Sequence, residues 1–447
     1  MIFTRLNTAS RPSSAIAMAL VLAATGTLGM TAFAEPARAQ KKKKEEQPKA
    51  EYSKEWMEAY QPLNEALQAE TPDLAAAKAM VPALAAQTTN ADEKKAAGGL
   101  ILNLGTKASD EALQLQGMKM MLDSGTLEPN IAGQLNWNLF QIYRGQDDLV
   151  QARSALEAAI AADYSFEANM SDGSTRMIGA PEMQRMIADM YFDADQTGEG
   201  LAYLSGIIDG LQSAGKPIPE TLIRTGLGQA YENNMGPESV RFVSLLAENY
   251  PTPTAWGDAV IITLNSKSYA NPEAIDLLRL SRRMKVYNDT RVLSEYVELL
   301  DSRRYPGEVI AAIDEGFAMG NVDKTDPFLV ESRKDAAGRV EADRAGLASL
   351  AADARKSGAT LKTIVVAGDT FLSYDKPAEA EEFYTKALTM SGVETPVVLT
   401  RLGIAQYDQG KYGEAIETFK KVEGSRRELA KRWASGAAQQ GSLEAGW

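Results

Sequence analysis

Residues 402–422 read LGIAQYDQGKYGEAIETFKKV, and this stretch is the strongest indication of the fold. Apolar and small residues recur every three or four positions on both sides of Gly410, which is the spacing of two helices joined by a turn. The first helix carries Gly403, and the second carries Ala415 and Phe419. A single hairpin of this kind cannot bury its own apolar stripe, so the pattern predicts that similar hairpins stack on it.

The same pattern occurs immediately upstream, in residues 368–388, GDTFLSYDKPAEAEEFYTKAL. Gly368, Ala380 and Tyr384 stand 35 residues before their counterparts in the first stretch. Small residues at these positions let two helix backbones approach closely, and we expect the aromatic residues to fill the gap between adjacent hairpins.

Two consecutive copies at this spacing resemble the tetratricopeptide-repeat (TPR) family, and the chain looks like an exported bacterial member. The resemblance implies an all-α fold, a right-handed α-solenoid of helix–turn–helix repeats. Four weaker copies occur upstream, and one of them keeps Leu227-Gly228 but has Val240 where a small residue is expected. The weaker copies are residues 138–160, 186–208, 226–247 and 296–320. The alternative is an all-α protein whose hairpins resemble TPRs by chance.

The composition shortens the list of possible chemistries. The chain has no cysteine and no histidine. Disulfides, thiolate nucleophiles, Cys/His zinc sites and Ser-His-Asp triads are therefore excluded. Only carboxylates, Lys, Tyr, Ser and Thr remain as catalytic groups, and no constellation of them stands out. We expect no catalytic residues, no metal and no cofactor.

Residues 1–39 are typical of a bacterial secretory signal peptide. Arg5 and Arg11 precede an apolar run, and small-x-small sites stand directly before Glu35 and Gln40. The alternative is a transmembrane anchor, but Thr and Gly interrupt the run and leave it short for a span. We expect cleavage at one of the two sites, a periplasmic location and no transmembrane anchor in the mature form.

The chain is acidic apart from one run of lysines. Its formal net charge is −13 at pH 7. A surface of this sign repels phosphate backbones, so nucleic acid is not an expected partner. Residues 40–52, QKKKKEEQPKAEY, are predicted to form a disordered, lysine-rich linker that acts as a tether. The alternative is contact with anionic lipid or an acidic partner.

The helical pattern after the linker divides the chain into three segments. They are an N-terminal helical cap at 53–128, degenerate TPR-like repeats at 129–355, and a C-terminal TPR pair with a capping helix at 356–447. The stretch 162–181 is rich in Ser, Asp, Gly and Asn and is predicted to be a long loop. A second loop at 321–327 precedes a charged helix that runs to Arg355.

Two glycine clusters raise the question of a nucleotide-binding loop. Gly98-Gly99 and Gly226-Leu227-Gly228 lack the preceding strand and the lysine that such loops need. We expect these glycines to allow close packing between helices instead.

In TPR folds the first helix of each hairpin lines the concave groove, and the resemblance therefore implies a set of partner-binding residues. Trp137 and Arg144 are the strongest pair, because residues seven apart share a helix face and aromatic plus Arg is a common interface composition. The alternative for Trp137 is packing between repeats. The full set is Trp137, Gln141, Arg144, Arg185, Asp189, Gln229, Lys362, Asp369, Arg401 and Tyr407.

Some TPR proteins bind a peptide carboxylate with basic and amide side chains at fixed groove positions. Here Val365 and Asp369 stand at two of those positions, and only Arg401 fits. Recognition of an acidic C-terminal tail by such a clamp is therefore not expected.

The sequence thus favours a non-enzymatic TPR-like scaffold that binds an envelope protein or an extended peptide. The alternative is an α-superhelical protein that binds or cleaves cell-wall glycan, which would need a Glu general acid in an apolar pocket. The identity of the partner and the oligomeric state stay open.

Overall fold

The structure, a computed structural model, describes residues 50–169, 173–286, 290–320 and 322–445. Within these ranges the chain forms twenty α-helices and a single two-stranded sheet. This confirms the all-α, helical-repeat fold class. None of the helices in this part of the chain is both long enough and apolar enough to span a membrane. The predicted signal peptide and most of the linker lie outside the described residues.

The chain divides into two compact units, with the boundary between Met183 and Gln184 inside helix α7. The helices before the boundary are α1 (Lys54–Gln68), α2 (Leu74–Gln87), α3 (Ala91–Lys107), α4 (Glu111–Leu122), α5 (Pro129–Gly145) and α6 (Leu149–Ala161).

The remaining helices are α7 (Ala180–Asp193), α8 (Thr197–Ser213), α9 (Glu220–Glu232), α10 (Gly236–Asn249), α11 (Pro253–Asn265), α12 (Asn271–Met284), α13 (Thr290–Leu300), α14 (Pro306–Met319), α15 (Pro327–Arg355), α16 (Leu361–Ser373), α17 (Pro377–Leu388), α18 (Thr395–Tyr407), α19 (Tyr412–Phe419) and α20 (Arg427–Ala445). The long helix α15 is the charged helix that the sequence predicts.

The predicted loop at 162–181 is wrong in its central part. It contains an antiparallel hairpin of β1 (Phe166–Asn169) and β2 (Thr175–Ile178), in which Phe166 pairs with Ile178 and Ala168 with Arg176. Each strand is only four residues long, so the polar composition of the segment hides it.

Buried hydrogen bonds hold the start of the first unit in place. The Glu93 side chain is fully buried and accepts from the backbone N–H groups of Ser53 (2.8 Å) and Thr89 (2.9 Å). It also forms a capping box with Asn90 at the start of α3. Burial opposes ionisation, but the hydrogen bonds lower the pKa of Glu93 to about 2.

Glycine and aromatic residues sixteen positions apart hold the repeat hairpins together. A Cβ built on Gly403 would lie 2.5 Å from the Phe419 ring, and one on Gly368 would lie 2.6 Å from the Tyr384 ring. The aromatic ring therefore fills the space within its own hairpin, whereas the sequence analysis placed it between adjacent hairpins. The α9–α10 hairpin uses the same contact, because a Cβ on Gly226 would lie 2.3 Å from Phe242.

The glycine clusters are only half explained by close packing. A Cβ built on Gly98 would lie 2.7 Å from the backbone oxygen of Gly117, and Gly226 faces a buried ring, as expected. Gly99 and Gly228 have no neighbouring atom within 4 Å of a built Cβ, so the prediction is wrong for them. The sequence pattern aligns Gly228 with the repeat glycine. The glycine that contacts the aromatic ring is instead Gly226, two residues earlier.

This difference gives a matched pair of substitutions. Gly403→Ala forces a methyl group against Phe419, which is buried and stacks on Trp433. Gly228→Ala meets open space. Both changes gain about 1 kcal/mol of helix propensity, so their difference isolates the overpacking cost of about 1–3 kcal/mol. Urea unfolding monitored by circular dichroism should show Gly228→Ala as the more stable variant; equal stabilities would contradict the contact.

The last helix of the second unit returns to earlier helices of the same unit. The Trp433 indole N–H on α20 donates to the Asp276 carbonyl on α12 at 2.8 Å, and Ser435 donates to Glu248 on α10 at 2.6 Å. Trp433 is fully buried. Contacts between residues far apart in sequence therefore join α20 to α10 and α12.

Candidate partner-binding surfaces

The strongest predicted pair lies on one face of α5. Trp137 and Gln141 are half-buried, and Arg144 is exposed at the end of the same face. The Arg144 guanidinium lies 6.0 Å from the Phe140 ring centroid and forms no ion pair with a described residue. These three side chains form a strip, called here the α5 strip, whose aromatic end is partly covered and whose basic end is open.

The β-hairpin covers the aromatic end of the α5 strip. The Phe166 ring meets the Trp137 ring edge-on, with centroids 4.9 Å apart. Tyr164 stacks on Phe166 at 5.6 Å, and its Cβ lies against Gly133 of α5. Trp137 thus packs against the β-hairpin, while part of its surface stays accessible.

The second strand of the hairpin is the exposed one. Thr175, Arg176 and Met177 are exposed in succession, and Met177 keeps 54% of its surface accessible. Arg176 forms no ion pair with a described residue. This surface was not predicted from the sequence, although β-prone residues on both sides of an Asp-Gly turn signal are a hairpin pattern.

The predicted residues between α7 and α9 form local contacts. Arg185 and Asp189 are both half-buried and pair with each other at 2.5 Å, one turn apart on α7. Gln229 is half-buried on α9, and its backbone carbonyl accepts from the Asn233 amide. Their role in binding a partner stays a prediction.

Arg401 and Tyr407, on α18, are buried and contact α12. Arg401 donates to Asp369 at 2.8 Å and to Asp276 at 3.2 Å. The Tyr407 hydroxyl lies 3.6 Å from the Met284 sulfur. Helix α12 therefore lies beside α18, where a partner was expected.

Lys362 is the predicted C-terminal residue that stays accessible. It is exposed near the start of α16, and no hydrogen bond or ion pair of its side chain joins it to another described residue. Its predicted role in binding is not tested by these contacts.

The contacts of α12 centre on three arginines, Arg279, Arg282 and Arg283, called here the arginine hub. Arg279 is 1% exposed and forms a bidentate ion pair with Glu308, with N–O distances of 2.8 and 2.7 Å. The other two guanidinium groups pair with carboxylates from three hairpins. These carboxylates belong to Glu315 of α14, Asp375 between α16 and α17, and Asp408 at the end of α18.

Asp276 is the most crowded carboxylate of this network. It is fully buried and accepts from Arg279 (2.8 Å), Arg401 (3.2 Å) and Arg426 (2.8 Å). Burial alone would raise the pKa of Asp276, but the three guanidinium groups hold it below its ordinary value. The network was not predicted from the sequence, since nothing local in α12 distinguishes a buried charge from a solvated one.

The carboxylate of Glu308 behaves in the same way. It is fully buried and also accepts from the Tyr296 hydroxyl at 2.6 Å. Burial opposes its ionisation, but Arg279 above all lowers the pKa of Glu308 to about 2. The network is therefore ionised at neutral pH and joins helices α12, α14 and α18.

An open groove of about 560 Å³ lies between α15 and the α16–α17 hairpin. Its apolar floor includes Leu347 and Phe371. Arg355 on its rim is paired with Glu382 at 2.8 Å, and Lys376 stands 4.0 Å from Glu379. These two cations of the groove therefore already have carboxylates nearby, unlike Arg144 at the open end of the α5 strip, which forms no ion pair with a described residue.

No group of three or more acidic side chains in the described residues is arranged to hold a metal ion. No family model matches the sequence, and no curated protein matches it. Among solved structures, the chain is similar to the crystal structure of the P58(IPK) TPR domain, with 12% identity and a TM-score of 0.22. That match covers 87% of this chain and 99% of the other. At so low a TM-score the two chains do not superpose as wholes, so the TPR-like description rests on the helical hairpins of this chain.

Proposed function

We propose that this protein is a non-catalytic TPR-like scaffold that binds a protein partner, or an extended segment of one, through the α5 strip and the adjoining hairpin. This proposal rests mainly on one observation: Arg144 is exposed and forms no ion pair with a described residue, while Trp137 on the same face of α5 contacts Phe166. An aromatic anchor beside an open arginine is the composition of an interface hot spot.

The C-terminal repeats support the choice of this surface by their own contacts. The side chains of Arg401 and Tyr407 are occupied by α12, so they offer little area to a second molecule. The residues of the α5 strip have no comparable ionic partners within the described ranges.

We further propose that the scaffold works in the cell envelope. The apolar run and the two small-x-small sites in the N-terminal residues support export to the periplasm through a cleavable signal peptide. Recovery of the protein in the periplasmic fraction, with a mature N-terminus at Glu35 or Gln40, is the result that this location requires.

The binding surface is tested by a pull-down from envelope extract with the wild-type protein and the double variant Trp137→Ala/Arg144→Glu. Truncating a hot-spot residue costs about 2 kcal/mol or more of binding free energy. We therefore expect the affinity for a specific partner to fall by about thirtyfold. Arg303→Ala is the control at a surface arginine, because Arg303 is 72% exposed and, among the described residues, pairs only with the nearby Asp301. An unchanged set of partners with the double variant, at unchanged helicity, would refute the surface.

A further inference from the structure

The segment that leads into β1 follows α5, and its contacts advance along the helix from Gly133 to Trp137. Tyr164 lies against Gly133, and Phe166 lies against Trp137. Four helical residues rise about 6 Å, and two extended residues span about 6.6 Å. The chain entering β1 therefore advances in the same direction as α5, and Ala168 falls at the level of Gln141.

The cross-strand register brings a second arginine to the open end of the α5 strip. Arg176 is paired with Ala168, so it also falls near the level of Gln141, one turn before Arg144. Neither Arg144 nor Arg176 forms an ion pair with a described residue. Two guanidinium groups that have no carboxylate partner among the described residues thus lie toward the same end of the α5 strip, on a chain whose net charge is −13.

The outer edge of β2 is open to another strand. In the part of the chain that the structure describes, the sheet consists of β1 and β2 alone, so β2 has one edge that no strand covers. Thr175, Arg176 and Met177 along this edge are all exposed. Backbone N–H and C=O groups on such an edge can pair with an extended peptide, and a two-stranded sheet is stabilised by a third strand.

We propose that an extended, acidic segment of a protein partner adds to the free edge of β2 as a third strand. The proposal rests on the proposed function, because it names how the partner engages that surface. Arg176 and Met177 project to opposite faces of the sheet. The added strand therefore alternates acidic residues, on the face of Arg176 and Arg144, with apolar residues beside Met177.

The test is the binding of short fluorescein-labelled peptides to the full-length protein, followed by fluorescence anisotropy. The probe alternates Asp and Val, and two matched peptides replace Asp by Lys or carry N-methylated backbone amides. We expect the Asp-Val peptide to bind, and each matched peptide to bind at least about tenfold more weakly. N-methylation removes the donors of the added strand while it keeps every side chain and charge.

Arg176→Glu should weaken the binding of the Asp-Val peptide by at least about tenfold, because it replaces an attraction to the Asp side chains by a repulsion. Lys324→Glu is the control with the same charge change at an exposed lysine of the second unit, and it should leave binding unchanged. Circular dichroism verifies that both variants keep the wild-type helicity.

The outcomes separate the two proposals. Equal binding of the N-methylated peptide, insensitivity to Arg176→Glu, or no binding of the Asp-Val peptide would each overturn strand addition. If the Trp137→Ala/Arg144→Glu variant loses its partner but the N-methylated peptide binds normally, the surface is right and the strand is wrong. If that variant keeps its partner, the proposed function itself fails.

Discussion

Asp276→Ala is expected to lower the free energy of unfolding of the second unit by about 3–5 kcal/mol. The substitution removes a fully buried carboxylate that accepts from Arg279, Arg401 and Arg426. Each guanidinium group would stay buried with one partner fewer, and an uncompensated buried charge is far more costly than a lost surface pair. Urea denaturation followed by circular dichroism measures the change.

Asp314→Ala is the matched control for this experiment. Asp314 also forms a short ion pair, with Arg333 at 2.6 Å, but both side chains are nearly half exposed. Solvent screens such a pair, so its loss should cost less than about 1 kcal/mol. If the two substitutions had equal effects, burial of the network would not be what makes Asp276 important.

Acid is expected to destabilise the second unit through Glu308. The pKa of this carboxyl is about 2 in the folded protein, against an ordinary value of 4.5. Above pH 4.5 the group is ionised in both states, and its contribution to stability is fully present. As pH falls from 4.5 to 2 the unfolded state takes up the proton first, so about 3 kcal/mol is lost. Urea unfolding at a series of pH values from 6 to 2 measures this loss.

Glu308→Gln separates this carboxyl from the other acids. The variant keeps the shape of the side chain but cannot titrate, so it should be less stable at pH 6 and lose less stability on acidification. Glu93, whose pKa is also about 2, titrates equally in both proteins and cancels in the comparison. Parallel pH curves for the wild type and Glu308→Gln would contradict the assignment.

The helical hairpins were predictable because their signals are local. A turn glycine and apolar residues at three- and four-residue spacing lie within one hairpin, and the positions of Gly403 and Phe419 follow from them. The error at Gly228 has a local cause as well. Gly226 and Gly228 stand two residues apart, and only the packing of Phe242 shows which one faces the ring.

The arginine hub was not predictable because its partners are distant in sequence. Asp276 bonds to Arg401 and Arg426, which are 125 and 150 residues away. Within α12 itself, Asp276 and Arg279 are three residues apart, and such a pair on one helix normally indicates a solvated face. In the folded protein, tertiary packing buries this face instead. The same packing buries Arg401 and Tyr407, although their sequence positions suggest an open groove.

The hairpin was missed for a different reason. Its strands are four residues each, too short for an alternating pattern to rise above the Ser, Asp and Gly around them. The aromatic contact of Phe166 with Trp137 joins residues 29 positions apart on different kinds of element. The α5 strip itself was predictable, since seven-residue spacing on one helix is a local property.

The return of α20 to α12 has a consequence for how this protein forms during translation. In an ordinary repeat array each unit can fold as it leaves the ribosome, because it contacts only its neighbours. Here α12 emerges well before the residues that neutralise Asp276, and Arg426 is the last of them. The charged side chains of α12 therefore stay in water until the C-terminal hairpins have been made. We expect the second unit to fold late and all at once rather than repeat by repeat.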